Sequence, residues 1–328
     1  MSSLSATVKL ITGKDDWGAG VVGAKFGILI EQKTLGRSGG LAFHVSAARE
    51  EGKSAEESGF YLKMPSDIGR VSADRVTIDY NNTGHVVNEP ITVTDSTGQT
   101  SGLTLQVPSG SKENPFTQVE VINLQVFIGP PYNEVFELSG DFGFRMSQGT
   151  ITAVARNANV AFRGGSNELS VRNSYVALQI TPDGGVAFDG NGTPTIRLTG
   201  IVDISAENVR FGWNSTGHAV TQELIVGEIK VPMNLGAGTK ESPFVLVVAK
   251  GFKGRIGEFL TIFGDFAFQR TGTAEGGDIS VAVTDMDATF ETPAFRMGVS
   301  RANLGLIVNT DWTDLDNDGK LSWVGPDG

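Results

Sequence analysis

The sequence predicts an all-β fold built from tandem antiparallel β-meander repeats of about 130 residues, and three observations carry that expectation. Segments match one another in the same order along the chain. Apolar and polar residues alternate with a period of two. Glycine, asparagine, aspartate and proline cluster between the alternating runs.

The internal matches come first, because a repeat decides the architecture. Residues 72–85 end in Tyr80-Asn-Asn-Thr-Gly-His85 and recur at 205–218, ending in Trp213-Asn-Ser-Thr-Gly-His218, an offset of 133. Gly110-Ser-Lys-Glu-Asn-Pro-Phe116 recurs as Gly238-Thr-Lys-Glu-Ser-Pro-Phe244, offset 128. Gly140-Asp-Phe-Gly-Phe144 recurs as Gly264-Asp-Phe-Ala-Phe268, offset 124, and 151–162 matches 279–290, offset 128. Val176-Ala-Leu-Gln-Ile180 resembles both Phe26-Gly-Ile-Leu-Ile30 and Leu304-Gly-Leu-Ile-Val308. The expected layout is a first copy over 1–174 with an N-terminal cap strand, a second over 175–302, and the start of a third over 303–328. Gly27 to Ala177 is an offset of 150, so the first copy carries about 17 extra residues before Ser72. Segment 47–58 has a helical composition and is read as a short helix or loop inserted there.

Alternation is clear in Val119-Glu-Val-Ile-Asn-Leu-Gln-Val126, Ile279-Ser-Val-Ala-Val283 and Phe295-Arg-Met-Gly-Val299. Pro182-Asp-Gly-Gly185, Asn82-Thr-Gly84 and Gly129-Pro-Pro131 supply the turns. Strand–turn–strand spacing without helices reads as a meander. Copies that bury their ends against one another give an elongated β-stack, and two β-sandwiches remain the alternative.

Composition bounds the function classes. The 328 residues are 39% hydrophobic, enough for a core, and carry no cysteine, so disulfides and thiolate chemistry are excluded. A net charge of −11 repels phosphate backbones and disfavours nucleic acid. No apolar run approaches the ~20 residues of a membrane helix. Gly18-Ala-Gly-Val-Val-Gly23 fits the dinucleotide pattern, but Lys25-Phe-Gly-Ile-Leu-Ile30 after it reads as a strand rather than a helix. Asp141 and Asp265 could form a carboxylate pair only if the copies faced each other; duplicated positions more often hold a turn or bulge. His44, His85 and His218 form no metalloprotease or triad signature. The sequence therefore predicts no enzyme.

One loop points to a metal. Asp314, Asp316 and Asp318 followed by Gly319 match the opening of a calcium loop, and Lys320 would offer its backbone carbonyl. Gly325 stands where the bidentate glutamate belongs, leaving Asp327 or Asp311 as substitutes. The alternative is an acidic solvated linker. Trp17, Trp213, Trp312 and Trp323 are candidates for stacking sugars or for ordinary core edges. Asn81, Asn191 and Asn214 open glycosylation sequons, relevant only on a eukaryotic secretory route.

The combination of Asn-x-Thr-Gly, Lys-Glu-x-Pro-Phe and Gly-Asp-Phe-x-Phe in each copy resembles repeats of very large, repetitive bacterial cell-surface or secreted proteins. That resemblance covers roughly residues 24–308. It implies an extracellular, adhesin-like or structural role, a calcium-binding context, and neighbouring repeats, surface glycans or other copies as partners. The insert at 47–58 departs from the pattern. The expected function is a structural or adhesive repeat module; the alternative is a calcium-dependent carbohydrate-binding module.

Overall fold

The computed structural model describes residues 4–12, 15–32, 39–54, 57–63, 68–94, 98, 100–130, 133–271, 278–309, 312–313 and 322–323. These residues are all-β and antiparallel throughout, with no helix among them. The chain divides into two compact units. Unit 1 is 1–164 with Arg172–Tyr175 and Leu224–Val231; unit 2 is Gly165–Val171, Val176–Glu223 and Pro232–Gly328.

Unit 1 is a meander. Strand β1 (Leu4–Thr12) pairs with β2 (Asp15–Glu31), whose other side pairs with β3 (Gly40–Ala48) and β4 (Gly59–Lys63). β4 pairs with β5 (Gly69–Ala73), and β3 with β6 (Arg75–Asn81). A separate hairpin of β7 (Val87–Thr94) and β8 (Thr100–Val107) follows. Both β5 and β6 pair with β9 (Phe116–Ile128), which leads through β10 (Phe136–Ser147) to β11 (Thr150–Gly164). The core lies between the sheet and the β7–β8 arm: Ala42, Val87, Leu105, Val107 and Phe116 are buried together, flanked by Leu29 and Ile91.

β12 (Asn167–Ile180) supplies residues to both units. In unit 2, β13 (Val186–Leu198) pairs with β14 (Val202–Ser205) and β15 (Asn208–Asn214). The hairpin of β16 (Val220–Val226) and β17 (Ile229–Leu235) follows, as the first arm follows β6. β14 and β15 pair with β18 (Phe244–Ile256), then come β19 (Leu260–Arg270), β20 (Asp278–Glu291) and β21 (Arg296–Asn309). Two short segments, β22 (Trp312–Thr313) and β23 (Ser322–Trp323), pair with each other.

Of the two readings of the insert, the described residues take the loop: Ala47 and Ala48 belong to β3, and residues 49–54 and 57–58 form turns and no helix. Ser58 is buried, donating its hydroxyl to the Ala48 carbonyl and accepting the Glu50 N–H. The loop interrupts what is one continuous strand in unit 2, β13. The surplus is also divided. Ala42 and Ala187 hold the same register against Asn81 and Asn214, yet Ala42 lies 15 residues past Gly27 and Ala187 only 10 past Ala177. Gly18–Gly23 lies inside β2 itself, which continues as strand to Glu31, so no βαβ unit exists there. Gly20 packs against Tyr61, where a Cβ would come within 2.6 Å of the ring.

The repeated Asn-x-Thr-Gly-His is the hinge of each arm. Asn81 is fully buried at the end of β6. Its Oδ1 accepts the Thr83 N–H and hydroxyl, both at 2.8 Å, and its Nδ2 donates to the carbonyls of His85 and Pro108, both at 2.8 Å. Asn214 does the same at the end of β15: Oδ1 accepts from Thr216 N–H and hydroxyl, and Nδ2 donates to His218 and Gly236 carbonyls at 2.7 Å. Every donor and acceptor of the amide is used, which is what makes a buried amide tolerable. The Lys-Glu-x-Pro-Phe element closes the other leg of the arm. A Cβ on Gly110 would meet Phe116 N at 2.0 Å, and one on Gly238 would meet Phe244 N at 2.0 Å, so only glycine fits either position. The sequons at Asn81 and Asn214 are thus spent inside the fold.

Gly-Asp-Phe-x-Phe marks a β-bulge. Gly140 (φ 136°) and Gly264 (φ 148°) sit at register shifts, beside Asn123 (φ 50°) and Gly251 (φ 57°) in the preceding strands. The aspartate after each glycine accepts the N–H of that left-handed residue: Asn123 to Asp141 at 2.9 Å, Gly251 to Asp265 at 2.7 Å. Further along, Asn159 and Asp287 accept the N–H of left-handed Asn173 and Arg301 in the same way. A row of bulges thus crosses adjacent strands in each unit, and each is fixed by a side chain.

Replacing Asn214 with alanine strands the His218 and Gly236 carbonyls. It should cost about 2–4 kcal/mol in denaturant titration, as expected for buried groups left unpaired. An effect under about 0.5 kcal/mol would mean that the hinge is not held by this side chain.

Candidate functional site

Sequence-predicted residues fall in scattered places. Asp314, Asp316, Asp318 and Lys320 lie outside the described residues, as do Asp311 and Asp327. Among the described residues no cluster of three His, Asp or Glu side chains is arranged to hold a metal. Asp141 is buried and gripped by Arg156, with Nη2 at 2.8 Å and Nε at 3.2 Å, while Asp265 is exposed; each serves its bulge. His85 faces the Glu31 carboxylate at 2.8 Å and the Val86 carbonyl at 2.9 Å. His218 lends its backbone carbonyl to the hinge. His44 meets Asp79 at 2.6 Å, and Asp79 also accepts from Gln118. Trp213 is half-buried in β15, in register with Phe188 and Val245. Trp312 and Trp323 are register partners in the β22–β23 pair, and Trp17 lies in β2.

The arms are where the sequence makes its most built surface. β17 buries every second residue, Ile229, Val231, Met233 and Leu235, and β16 buries Val220, Leu224 and Val226 on its matching face while Gln222 stays exposed. Each such side chain contributes roughly 1.5–3 kcal/mol of gross transfer free energy. The tip, Leu224–Val231, belongs to unit 1. There Val226 fills a notch over the paired residues Gly143 and Val154. A Cβ on Gly143 would lie 2.7 Å from the Val226 Cβ, so the notch exists because position 143 lacks one.

A buried carboxylate receives the turn. Glu120, only 4% exposed, accepts the Glu228 N–H at 2.7 Å. A Cβ on Gly227 (φ 58°) would come within 2.5 Å of that carboxylate, so the turn needs glycine twice over, for its conformation and for this approach. Arg75 closes the cluster, 2.6 Å from Glu228 and 3.6 Å from Glu120. None of Gly143, Val154, Glu120, Arg75, Val226 and Glu228 stands out in the sequence as a site residue. The available signal was the alternation of Ile229-Lys-Val-Pro-Met-Asn-Leu235 after a Gly-Glu turn.

The base of the second arm is tied by another pair. Asp189, 1% exposed, takes a fork from Arg210 at 2.9 and 2.7 Å and the Asn234 N–H at 3.1 Å. In unit 1 the register positions of Asp189 and Gly212 are held by His44 and Asp79, so the acid has moved to the partner strand. A shallow depression of about 320 Å³ is lined by Arg197, Asp203, Arg255 and Glu258 around Ile201. Its charges balance, and Arg197 already lies 3.9 Å from Asp203. Comparison with protein families, with characterised proteins and with solved structures finds no match.

The Arg75 guanidinium hydrogen-bonds Glu228 and holds its carboxyl below the usual carboxylate range. A lowered folded-state pKa contributes stability above the ordinary glutamate range, and that contribution is lost as pH falls through the folded value. The Glu228 side chain is 72% exposed, so the pair is worth under about 1 kcal/mol. The stability difference between the wild type and Glu228→Gln should be present at neutral pH, begin to shrink as pH falls below the ordinary glutamate range, and vanish once pH is below the lowered folded-state value. A difference that is the same at both pH values would show that the ion pair does not act.

Proposed function

We propose that this chain is a structural repeat module of a large bacterial surface or secreted protein, an elongated tandem array with an adhesive or spacing role. One observation carries the reading: the motifs that recur in the sequence are the parts that hinge, close and seat an arm. Asn81 and Asn214 hold the same hydrogen bonds, and Gly110 and Gly238 the same tight approach. Residues duplicated in this way serve assembly of the fold rather than recognition of a small molecule. The second arm supports it further, since its tip is buried among β9, β10 and β11 rather than at its own base.

The surface or secreted setting rests on the resemblance to giant bacterial repeat proteins. The calcium-dependent carbohydrate reading has less behind it, because Trp213 is half-buried in a strand.

In a stacked array, stability is the sum of intrinsic and nearest-neighbour contributions and rises with copy number. A chain carrying a further copy of residues 175–302 after residue 302 should unfold cooperatively at a higher denaturant midpoint than the parent. Unfolding in independent steps, with midpoints unchanged by the added copy, would contradict the array.

A further inference from the structure

One face of the unit 2 sheet is apolar from edge to edge. Leu198, Val202, Ile256, Leu260, Phe290 and Met297 are successive register partners across β13, β14, β18, β19, β20 and β21. Register partners project to the same side of a sheet, so these six share a face. Four more such rows run from Phe188, Gly190, Gly192 and Ile196 of β13 to Val308, Leu306, Leu304 and Val299 of β21. Their residues are all apolar or glycine except Arg270, which ends β19 at the margin. Phe266 and Phe268 of the Gly-Asp-Phe-x-Phe element lie among them. The alternate rows differ: Arg197, Asp203, Arg255, Thr261, Thr289 and Gly298 form one on the opposite side.

The bulges do not split this face. The Phe252 ring lies 5.2 Å from the Phe266 ring on one side of the bulge. On the other side, a Cβ on Gly254 would come within 3.0 Å of the same Phe252 ring. The second arm covers the opposite side of the sheet, where a Cβ on Gly212 would lie 2.7 Å from Leu235. The apolar side stays open: Leu198, Phe211, Ile256, Met297, Leu304 and Leu306 are between 38% and 65% exposed. The corresponding row of unit 1, from Phe26 through Phe144 to Ala153, is apolar too, so the face belongs to the repeat. In unit 2 it is about 24 Å wide across the strands and about 37 Å long from Met297 to Val308. That footprint of roughly 900 Å² exceeds the largest apolar patch of an ordinary monomer, about 300–600 Å². It matches the ~800 Å² that each partner buries in a stable interface.

We propose that the apolar face of unit 2 packs against the same face of a second copy, the two sheets forming a two-layer β-sandwich about a two-fold axis. A self-paired surface has to be complementary to itself, and a face with its one charge at the margin brings no like charges together inside the contact. An apolar inner face and a polar outer face on each sheet is the layout of a sandwich, whose layers lie about 10 Å apart. An obligate interface resembles a domain core cut in half, and this face has that composition. A lipid surface fits less well, because a net charge of −11 is repelled by anionic headgroups. The pairing joins two chains and is independent of any stacking of copies along one chain.

Sedimentation of the full chain over about 0.1 to 50 µM tests it, with tryptophan emission followed in parallel. Wild type should dimerise, and its emission should shift to the blue as it does. Trp213→Phe should lose the shift and keep the dimer, since Trp213 lies in the row that starts at Phe188. Leu306→Lys and Phe211→Lys each put a charge on the face at an exposed side chain. Each should weaken dimerisation by about tenfold or more while the circular dichroism stays that of wild type. Ile307→Lys, the next residue but on the arm side, should dimerise as wild type does. A wild type that stays monomeric would overturn the proposal. Equal weakening by Leu306→Lys and Ile307→Lys would overturn it too, because it would mark pairing through the β21 edge. Loss of the Trp213 shift in Phe144→Lys would place unit 1 of the partner opposite, against the proposal. Flotation of wild type with phosphatidylcholine–phosphatidylserine vesicles, abolished by Leu306→Lys, would assign the face to lipid instead.

Discussion

A meander of antiparallel strands has two faces and no second layer, so something else must cover it. Here that is a hairpin arm laid across the strands, and the buried asparagine at its hinge lets it leave the sheet and return. Asn81 and Asn214 each sit where a strand ends and use every hydrogen-bonding position of the amide on the backbone around them. Gly110 and Gly238 let the returning leg pass within contact of the departing one. Without that closure the apolar side of the arm, from Val220 to Leu235, would have no fixed position over the sheet.

The bulges are the second constraint. A flat sheet of long strands twists until its neighbours no longer support an arm in register. The left-handed residues at Asn123, Asn157 and Asn173, and at Gly251, Asp285 and Arg301, bend the strands at matched points. Side chains from the adjacent strand hold several of those residues by the backbone N–H. This explains why aspartate follows glycine in Gly-Asp-Phe-x-Phe: the glycine takes the unusual φ and the aspartate secures its neighbour.

Strand character and turn positions were legible in the sequence, because period-two alternation and glycine–asparagine punctuation are local signals. The roles of the repeated motifs were not. Asn-x-Thr-Gly-His reads as a turn, but its partners Pro108 and Gly236 are more than 20 residues away. Segment 47–58 reads as a short helix or a loop from its Ala and Glu content. It is too short to nucleate a helix, and it is held at both ends, by the Arg49 N–H on the Asp74 carbonyl and by Ser58 on Ala48 and Glu50. The arm seat left the weakest trace, since Gly143, Val154 and Val226 become neighbours only through packing. The Asp314–Lys320 loop stays a sequence-level expectation, outside the described residues.

Cover for the sheet depends on the arm being seated, and the notch at Gly143 gives the most direct measurement. A double-mutant cycle of Gly143→Ala and Val226→Ala, followed by denaturant titration, separates contact from coincidence. Gly143→Ala alone places a Cβ 2.7 Å from Val226 and 2.8 Å from Val154, and should cost about 1–3 kcal/mol through overpacking. Shortening Val226 as well should relieve that strain, giving a coupling of about 1 kcal/mol or more. Strictly additive effects would contradict it, because they would mean that Val226 does not occupy the notch in solution.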